Sequence, residues 1–168
     1  MAPDQSPPEG DRWRVRRAGP GDVAAVRAVS AEAYAASFQP VFGYLPAPAL
    51  EDYAPRVAAG EVWLIEDGAT GRPVGVAVLE QHVDHLLVYS IAVLPECWHA
   101  GIGRRLLALA EQRARGAGCP EVRLFTNTRM TRNLAIYARA GYRELGRRPH
   151  PSRPGIVLVD MGKTVGPA

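Results

Sequence analysis

Two short motifs in this chain of 168 residues bring together residue types with an evident chemistry. The first is Gly101-Ile102-Gly103-Arg104-Arg105, which comes after an apolar run, His85 to Val93, and the punctuation Leu94-Pro95. A glycine pair that opens a helix exposes unpaired backbone N–H groups and the positive end of the helix dipole. It also lets the backbone come close to a bulky anion, so the segment reads as a phosphate cradle in the general sense. Arg104 and Arg105 add cations in the first turn, where a purely structural helix start favours acidic side chains. No Lys-Ser/Thr comes next, as a P-loop requires, and no third glycine completes a dinucleotide fingerprint. The second motif is Asn133-Leu-Ala-Ile-Tyr137-Ala-Arg-Ala-Gly141-Tyr142. Asn133 and Tyr137 stand at i and i+4 and share one helix face. One offers an amide donor and acceptor, the other a phenol with a pKa of about 10. Taken alone, the pair serves equally well as a surface amide and a core aromatic.

Other chemistry-bearing residues are sparser. His82 and His85 form a thin metal pair without further Asp, Glu or Cys at ligand spacing, so no metal is expected. Cys97 and Cys119 are far from metal-ligand spacing and read as reduced thiols. Cys97, close to the cradle, lacks an identifiable histidine partner and reads as a small side chain in a turn rather than a nucleophile.

The elements that must position these residues emerge from periodicity. Arg12 to Arg17 alternates charged and apolar residues like an edge strand. Pro20-Gly21-Asp22 punctuates the chain, with Asp22 a natural N-cap. Val23, Val26, Val29, Ala33 and Tyr34 then give a helix to about Ser37. Phe38 to Ala49 (FQPVFGYLPAPA) reads as a loop, and a short helix continues to about Ala59. Glu61–Glu66 and Val74–Leu79 form a hairpin across the Gly68–Pro73 turn, and His85–Val93 is a further strand. By alternation Leu87, Tyr89 and Ile91 share a face with His85. Gly101–Gly116 is a helix with Leu106, Leu107, Ala110 and Ala114 on one side. Glu121–Thr126 is a strand, Thr131–Ala140 a helix closed by Gly141, and one or two strands end the chain, the last over Ile156–Met161. This mixed order predicts an α/β or α+β three-layer domain with helices on both faces of a central sheet.

Composition narrows the function classes. The 47% hydrophobic and 22% charged fractions are those of a globular protein. No apolar run reaches the roughly 18 to 20 residues of a membrane helix. The start of the chain, MAPDQSPPEGDR, has no hydrophobic stretch, and a cytoplasmic location is expected. Residues 1–11 read as a flexible tail and 12–164 as one domain. The net charge of +3 and the pI near 9.1 suit a small polyanionic ligand. No stripe of interleaved basic and aromatic residues points to nucleic acid. The single lysine, Lys163, among 20 basic residues reflects genome composition rather than function.

Together, in this order and spacing, the Val93-Leu-Pro-Glu entry, Gly101-x-Gly103 and Asn133-x-x-x-Tyr137-x-x-x-Gly141-Tyr142 resemble the GNAT superfamily of N-acetyltransferases, over roughly Trp13 to Lys163. The resemblance implies a seven-stranded, mixed, mostly antiparallel sheet, splayed between the strands at 86–93 and 121–127, with acetyl-CoA in the splay. It implies that backbone groups of Ile91, Ala92 and Val93 pair with the pantetheine arm like an added strand. Amides from His99, Ala100, Gly101, Ile102, Gly103 and Arg104 would hold the pyrophosphate, Asn133 would contact pantetheine, and Tyr137 would stand near the thioester sulfur. Relatives usually carry Gln or Arg where this chain has Trp98. Coenzyme A binding is expected to survive the change with lowered affinity, the indole packing on the ligand or on the protein surface.

The reaction that the resemblance implies is direct transfer through a ternary complex to a primary amine. The acceptor ammonium, with a pKa of about 10, must lose a proton to a base. The resemblance suggests the Val93 N–H as donor to the tetrahedral oxyanion and Tyr137 as the acid for the departing thiolate. Leu87 is no base and Tyr89 a poor one, which leaves His85, Glu80 and His82 working through water. The acceptor would enter over Tyr34 to Leu50, where Phe38, Phe42, Tyr44 and Leu45 could line a pocket and Glu51 or Asp52 could attract an amine. The acceptor is a small molecule or a protein amine, and a homodimer is an analogy with relatives. The alternative is a noncatalytic acyl-CoA-binding sensor or partner subunit of the same fold.

Overall fold

The computed structural model describes residues 12–166, so the expectation for the N-terminal tail lies outside the described residues. Seven strands form one sheet: β1 (Trp13–Arg17), β2 (Val62–Asp67), β3 (Pro73–Gln81), β4 (Leu86–Val93), β5 (Glu121–Asn127), β6 (Arg143–Pro149) and β7 (Val157–Thr164). Their order is β1-β2-β3-β4-β5-β7-β6, and every neighbouring pair is antiparallel except β4 and β5. The helices are α1 (Val23–Ser37), α2 (Gln39–Phe42), α3 (Ala47–Leu50), α4 (Ala54–Ala58), α5 (Ile102–Gly116) and α6 (Thr131–Arg139). The expected seven-stranded mixed sheet with helices on both faces is what the chain forms.

Charge fixes the start of the fold. Arg14 and Arg16 of β1 both reach Glu66 of β2, at 3.0 Å and 2.8 Å. Glu66 is buried, and its carboxyl is held below the usual range, first by the hydrogen bond from Arg16. Asp22 precedes α1 as expected but caps none of its N–H groups. Its carboxylate instead accepts from the Gly19 N–H at 2.7 Å and from both terminal nitrogens of Arg16. Asp22 therefore welds the turn to β1, and the helix starts where that turn ends.

Phe38 to Ala49 is not a plain loop. It holds the single-turn helices α2 and α3, each with proline in its first turn, where the missing N–H costs nothing. Gly43, at φ 75°, stops α2. β6 includes Arg147 to Pro149, where the sequence pattern predicts no strand, because β6 is exposed along nearly its whole length and has no apolar face to reveal it.

The helices take opposite faces of the sheet. A Cβ on Gly75 of β3 would come within 2.5 Å of Ile65 Cγ2 and 3.0 Å of Ile102 Cγ2. The glycine thus lets the first turn of α5 rest directly on the sheet. Glu80, an odd number of positions along β3 and so on the other face, bonds Arg56 of α4 at 2.7 Å. Strand β4 contains a bulge: Val78 faces Ser90 and Leu79 faces Val88, which leaves Tyr89 as the extra residue. Simple alternation therefore fails. Leu87, opposite Glu80, and Tyr89, under Arg56, lie on the α4 face, whereas Ile91, opposite Ala77, lies on the α5 face.

Candidate active site

The parallel pairing of β4 and β5 runs only through Leu86↔Val122, Leu87↔Arg123 and Val88↔Leu124. Beyond it the strands part. The N–H of Leu94 bonds the Val74 carbonyl on β3 at 2.9 Å. Bonding groups alternate along an antiparallel strand, so Ala92 also spends its peptide groups on β3. Those of Ile91 and Val93 point the other way, into the gap. There the Ile91 carbonyl accepts from Tyr34 Oη at 3.3 Å and the Val93 carbonyl from Trp98 Nε1 at 3.0 Å. The N–H groups of Ile91 and Val93 face the gap beside them.

At the open end lies the glycine cradle. After a 3-10 turn at Pro95–Cys97, Trp98 is extended, His99 is left-handed at φ 67° and Gly101 left-handed at φ 79°. The Ala100 N–H between them is spent on the Cys97 carbonyl at 3.3 Å, so the donors left for an anion are those of His99 and of the first turn of α5, whose N–H groups have no partner within the helix. His99 is the one non-glycine residue with positive φ among the described residues, and histidine is among the side chains that tolerate it better. Ile102, buried against Gly75, anchors the start of α5. Arg104 is exposed, and Gly103 has no neighbour within 4 Å of its missing Cβ. From α6, Arg132 lies over the Trp98 ring at 5.3 Å, and its Nη2 is 3.4 Å from His99 Nε2.

The Asn133/Tyr137 helix ends in a Schellman motif. The Tyr142 N–H bonds the Tyr137 carbonyl at 3.0 Å and the Gly141 N–H bonds that of Ala138 at 3.0 Å, with Gly141 at φ 93°. The Tyr142 ring is buried and meets the Tyr137 ring edge-on, centroids 6.3 Å apart. The Tyr-x-x-x-Gly-Tyr spacing is thus a structural closure that also braces Tyr137 from behind. Burial pushes the Tyr137 phenol up to about 12. Tyr34 is raised further, by burial first and then by the neighbouring phenols of Tyr137, Tyr53 and Tyr89. The Tyr34 phenol, on the Ile91 carbonyl, thus has other phenols for neighbours. Asn133, half-buried, lies one turn earlier on α6.

On the α4 face a bay of about 380 Å³ runs from Phe125 to His85, over Leu87, Arg123, Leu145 and Arg148. Phe125 meets Tyr89 edge-on, with centroids 6.4 Å apart, so the bay begins at the bulge. His85 is at its far end, about 25 Å along the strand from Val93, and its Nδ1 is 2.7 Å from Asp84. His82 stacks on it at 4.5 Å. Glu80 is committed to Arg56, with its other oxygen 3.6 Å from His82. Arg56 also pairs with Glu51 and Glu61 and stands 4.0 Å above the Tyr89 ring. The aromatic arm Phe38, Phe42 and Tyr44 packs on itself and is pinned by Arg129 over Phe42 and Arg153 over Tyr44. Among the described residues no group of three or more His, Cys, Asp or Glu could hold a metal. The Cys97 thiol is raised mainly by burial, the reverse of an activated nucleophile.

Ile91, Val93 and the cradle thus border one gap, Tyr137 lies near the Tyr34 phenol that bonds the Ile91 carbonyl, Asn133 shares the Tyr137 face of α6, and His85 is remote from them. Sequence reasoning missed Arg132 as a member of this site and placed Tyr34 only at the start of the segment over which the acceptor would enter. Arg132 adjoins the Asn133 motif directly, but nothing in its spacing shows that it would cross to Trp98. Tyr34 is visible in the sequence as a core position of α1 and as the start of the entry segment, neither of which shows that its phenol reaches the Ile91 carbonyl.

A parallel strand pair that splays beside a glycine-opened helix defines an acyl-CoA N-acyltransferase fold. The Acetyltransferase (GNAT) family matches residues 28–142, and the chain belongs to that family. It is 32% identical over 147 residues to the mycothiol acetyltransferase of Streptomyces bingchenggensis (strain BCW-1), a match covering 83% of this chain and 45% of that protein. The chain thus spans about half the length of that relative. Its fold is similar to that of the ribosomal-protein-S18-alanine N-acetyltransferase from Escherichia coli, with a TM-score of 0.73 at 17% identity over 93% of this chain and 96% of that one. It is similar also to the PaiA N-acetyltransferase from Thermoplasma acidophilum solved in complex with coenzyme A, with a TM-score of 0.74 at 16% identity over 90% and 98% of the two chains.

Proposed function

We propose that the protein transfers an acetyl group from acetyl-CoA to a primary amine by direct attack within a ternary complex. The observation that carries this reading is the pair of unspent N–H groups on Ile91 and Val93, facing the splay between the glycine cradle and Tyr137. The pantetheine arm would lie along β4 as an added strand, accepting from those donors. The pyrophosphate would rest on the amides of His99 and of Gly101 to Arg104, the Ala100 N–H being spent on the Cys97 carbonyl, with Asn133 on the pantetheine from the other side.

The acceptor would approach from the bay, past Phe125 and Tyr89. Its ammonium loses one proton to solvent along that bay, and His85, paired with Asp84 at the far end, helps the proton leave through the bay's water. The neutral nitrogen then forms a bond to the thioester carbon, and the Val93 N–H stabilises the oxyanion. As the carbon–sulfur bond breaks, Tyr137 gives its proton to the thiolate and recovers one from the nitrogen that has become the amide. The raised Tyr137 phenol stays protonated at neutral pH, as an acid must.

Calorimetric titration with acetyl-CoA, and then thiol release in the presence of primary amines, tests the reading. Micromolar binding and amine-dependent thiol release are expected. No binding up to about a millimolar overturns it, and binding without turnover for any amine leaves an acyl-CoA-binding module.

A further inference from the structure

Of the four backbone polar groups that β4 turns toward the gap at Ile91 and Val93, the two carbonyls already have donors from side chains of this chain. The Val93 carbonyl is the more firmly held, by an indole N–H at 3.0 Å. That carbonyl points away from β3 in the plane of the sheet, so its donor also lies in that plane, beside the open edge of β4. A carbonyl accepts two donors, and sharing its oxygen costs little. The ring is the obstacle, because it lies where a chain added to the edge would run. Its outer face is covered by Arg132, whose guanidinium is 5.3 Å from the ring and in reach of His99. Trp98 is half-buried, held between the strand and a surface arginine rather than embedded in the core.

Resting on the reading that coenzyme A occupies the splay, we infer that Trp98 is a built-in competitor for the pantetheine arm. Its indole pairs with Val93, and both that bond and the stacking of Arg132 on the ring must yield before the arm can lie along β4. The residue sets the affinity of the cosubstrate without contacting its phosphates. This gives the departure at position 98 a physical role: the usual polar side chain is exchanged for a plug.

The test uses two probes on the full chain. Coenzyme A carries the pantetheine arm, whereas adenosine 3′,5′-bisphosphate keeps an adenine-and-phosphate end and lacks the arm. Trp98→Phe cannot donate to Val93 and is expected to bind coenzyme A about five- to tenfold more tightly, the worth of about one hydrogen bond. Its affinity for the bisphosphate should stay within about twofold of wild type. In the unmodified protein, the emission that Trp98→Phe removes should change when coenzyme A is added and not when the bisphosphate is added. Equal or weaker coenzyme A binding by Trp98→Phe, a parallel change with both probes, or a Trp98 emission blind to coenzyme A each overturns the inference while leaving the cosubstrate reading intact. Coenzyme A binding to neither protein overturns both.

Discussion

The two halves of β4 have similar apolar sequences and opposite fates. Leu86 to Val88 is paired with β3 on one side and β5 on the other, so its backbone is spent on the ladder. Ile91 to Val93 is paired with β3 alone, and every second peptide group is left for something else. The change falls at Tyr89, the bulge residue. What separates them is local: one extra residue on β4 ends its match to β5 and turns Tyr89 toward Arg56 and the bay. Rigid pairing on one side of the bulge holds unpaired donors in place on the other, the arrangement that electrostatic preorganisation requires.

The sharpest test of that contrast is Tyr137→Phe, at the open half. Phenylalanine keeps the edge-on packing against Tyr142 and removes only the hydroxyl, and with it the proton. Turnover should fall about a hundredfold or more, with coenzyme A affinity within about twofold. Turnover that survives the change would remove Tyr137 from the chemistry and leave it as packing. Next in size is Gly75→Ala, which attacks the support rather than the site. The new methyl would meet Ile65 and Ile102 inside normal contact, and overpacking of this kind costs about 1–3 kcal/mol. Urea unfolding should show that loss. Coenzyme A binding should weaken with it, because the displaced atoms belong to the first turn of α5.

How much of this was legible depends on what each residue spends its side chain on. Buried strands and α5 announced themselves, since burial on one or two faces writes a period into the sequence. So did the glycine cradle and the Tyr137 helix, whose residues are needed at fixed spacing. β6 left no period because it is an exposed edge strand of Arg and Glu. The bulge at Tyr89 could not be read, since it arises from the match between β4 and β3 and neither strand encodes it alone. For the same reason the alternation that grouped Leu87 with Ile91 was misleading. Asp22 was legible as a polar residue before a helix, but that it turns back to Arg16 depends on Arg16 being held on β1 by the distant Glu66. Tyr34 and Trp98, which cap β4, look in sequence like core and turn residues.

Asp22 gives a smaller effect, on stability rather than turnover. Arg16, then the Gly19 N–H, hold its carboxyl at about 2, below the roughly 4 of a free aspartate. A depressed folded value means that the stabilisation is complete above about pH 4 and is lost as pH falls toward 2. Asp22→Asn should cost about 1 kcal/mol at neutral pH, the partly exposed pair being screened by solvent. The wild-type advantage in thermal unfolding should be mostly lost at about pH 2 and vanish below it. An advantage that persists undiminished at pH 2 would mean that packing of the turn, not charge, is what Asp22 supplies.

The smallest effect is expected at the closed half, and it bears most directly on the comparison. A base in direct contact with the reacting amine contributes about 10² to 10⁴ in rate. His85 is about 25 Å along the strand from Val93, and it reaches the bulge only through the bay. Working through water at that range, it speeds the departure of a proton and does not position the nucleophile. His85→Gln should therefore lower turnover by no more than about fivefold, well short of a contacting base, with coenzyme A affinity unchanged. It should leave stability almost untouched, since the partner it loses, Asp84, is itself exposed. A loss as large as that of Tyr137→Phe would show that the acceptor amine is held low in the bay, beside the paired half of β4. The reacting centre would then lie on the rigid half of the strand, and the unspent donors of Ile91 and Val93 would serve binding alone.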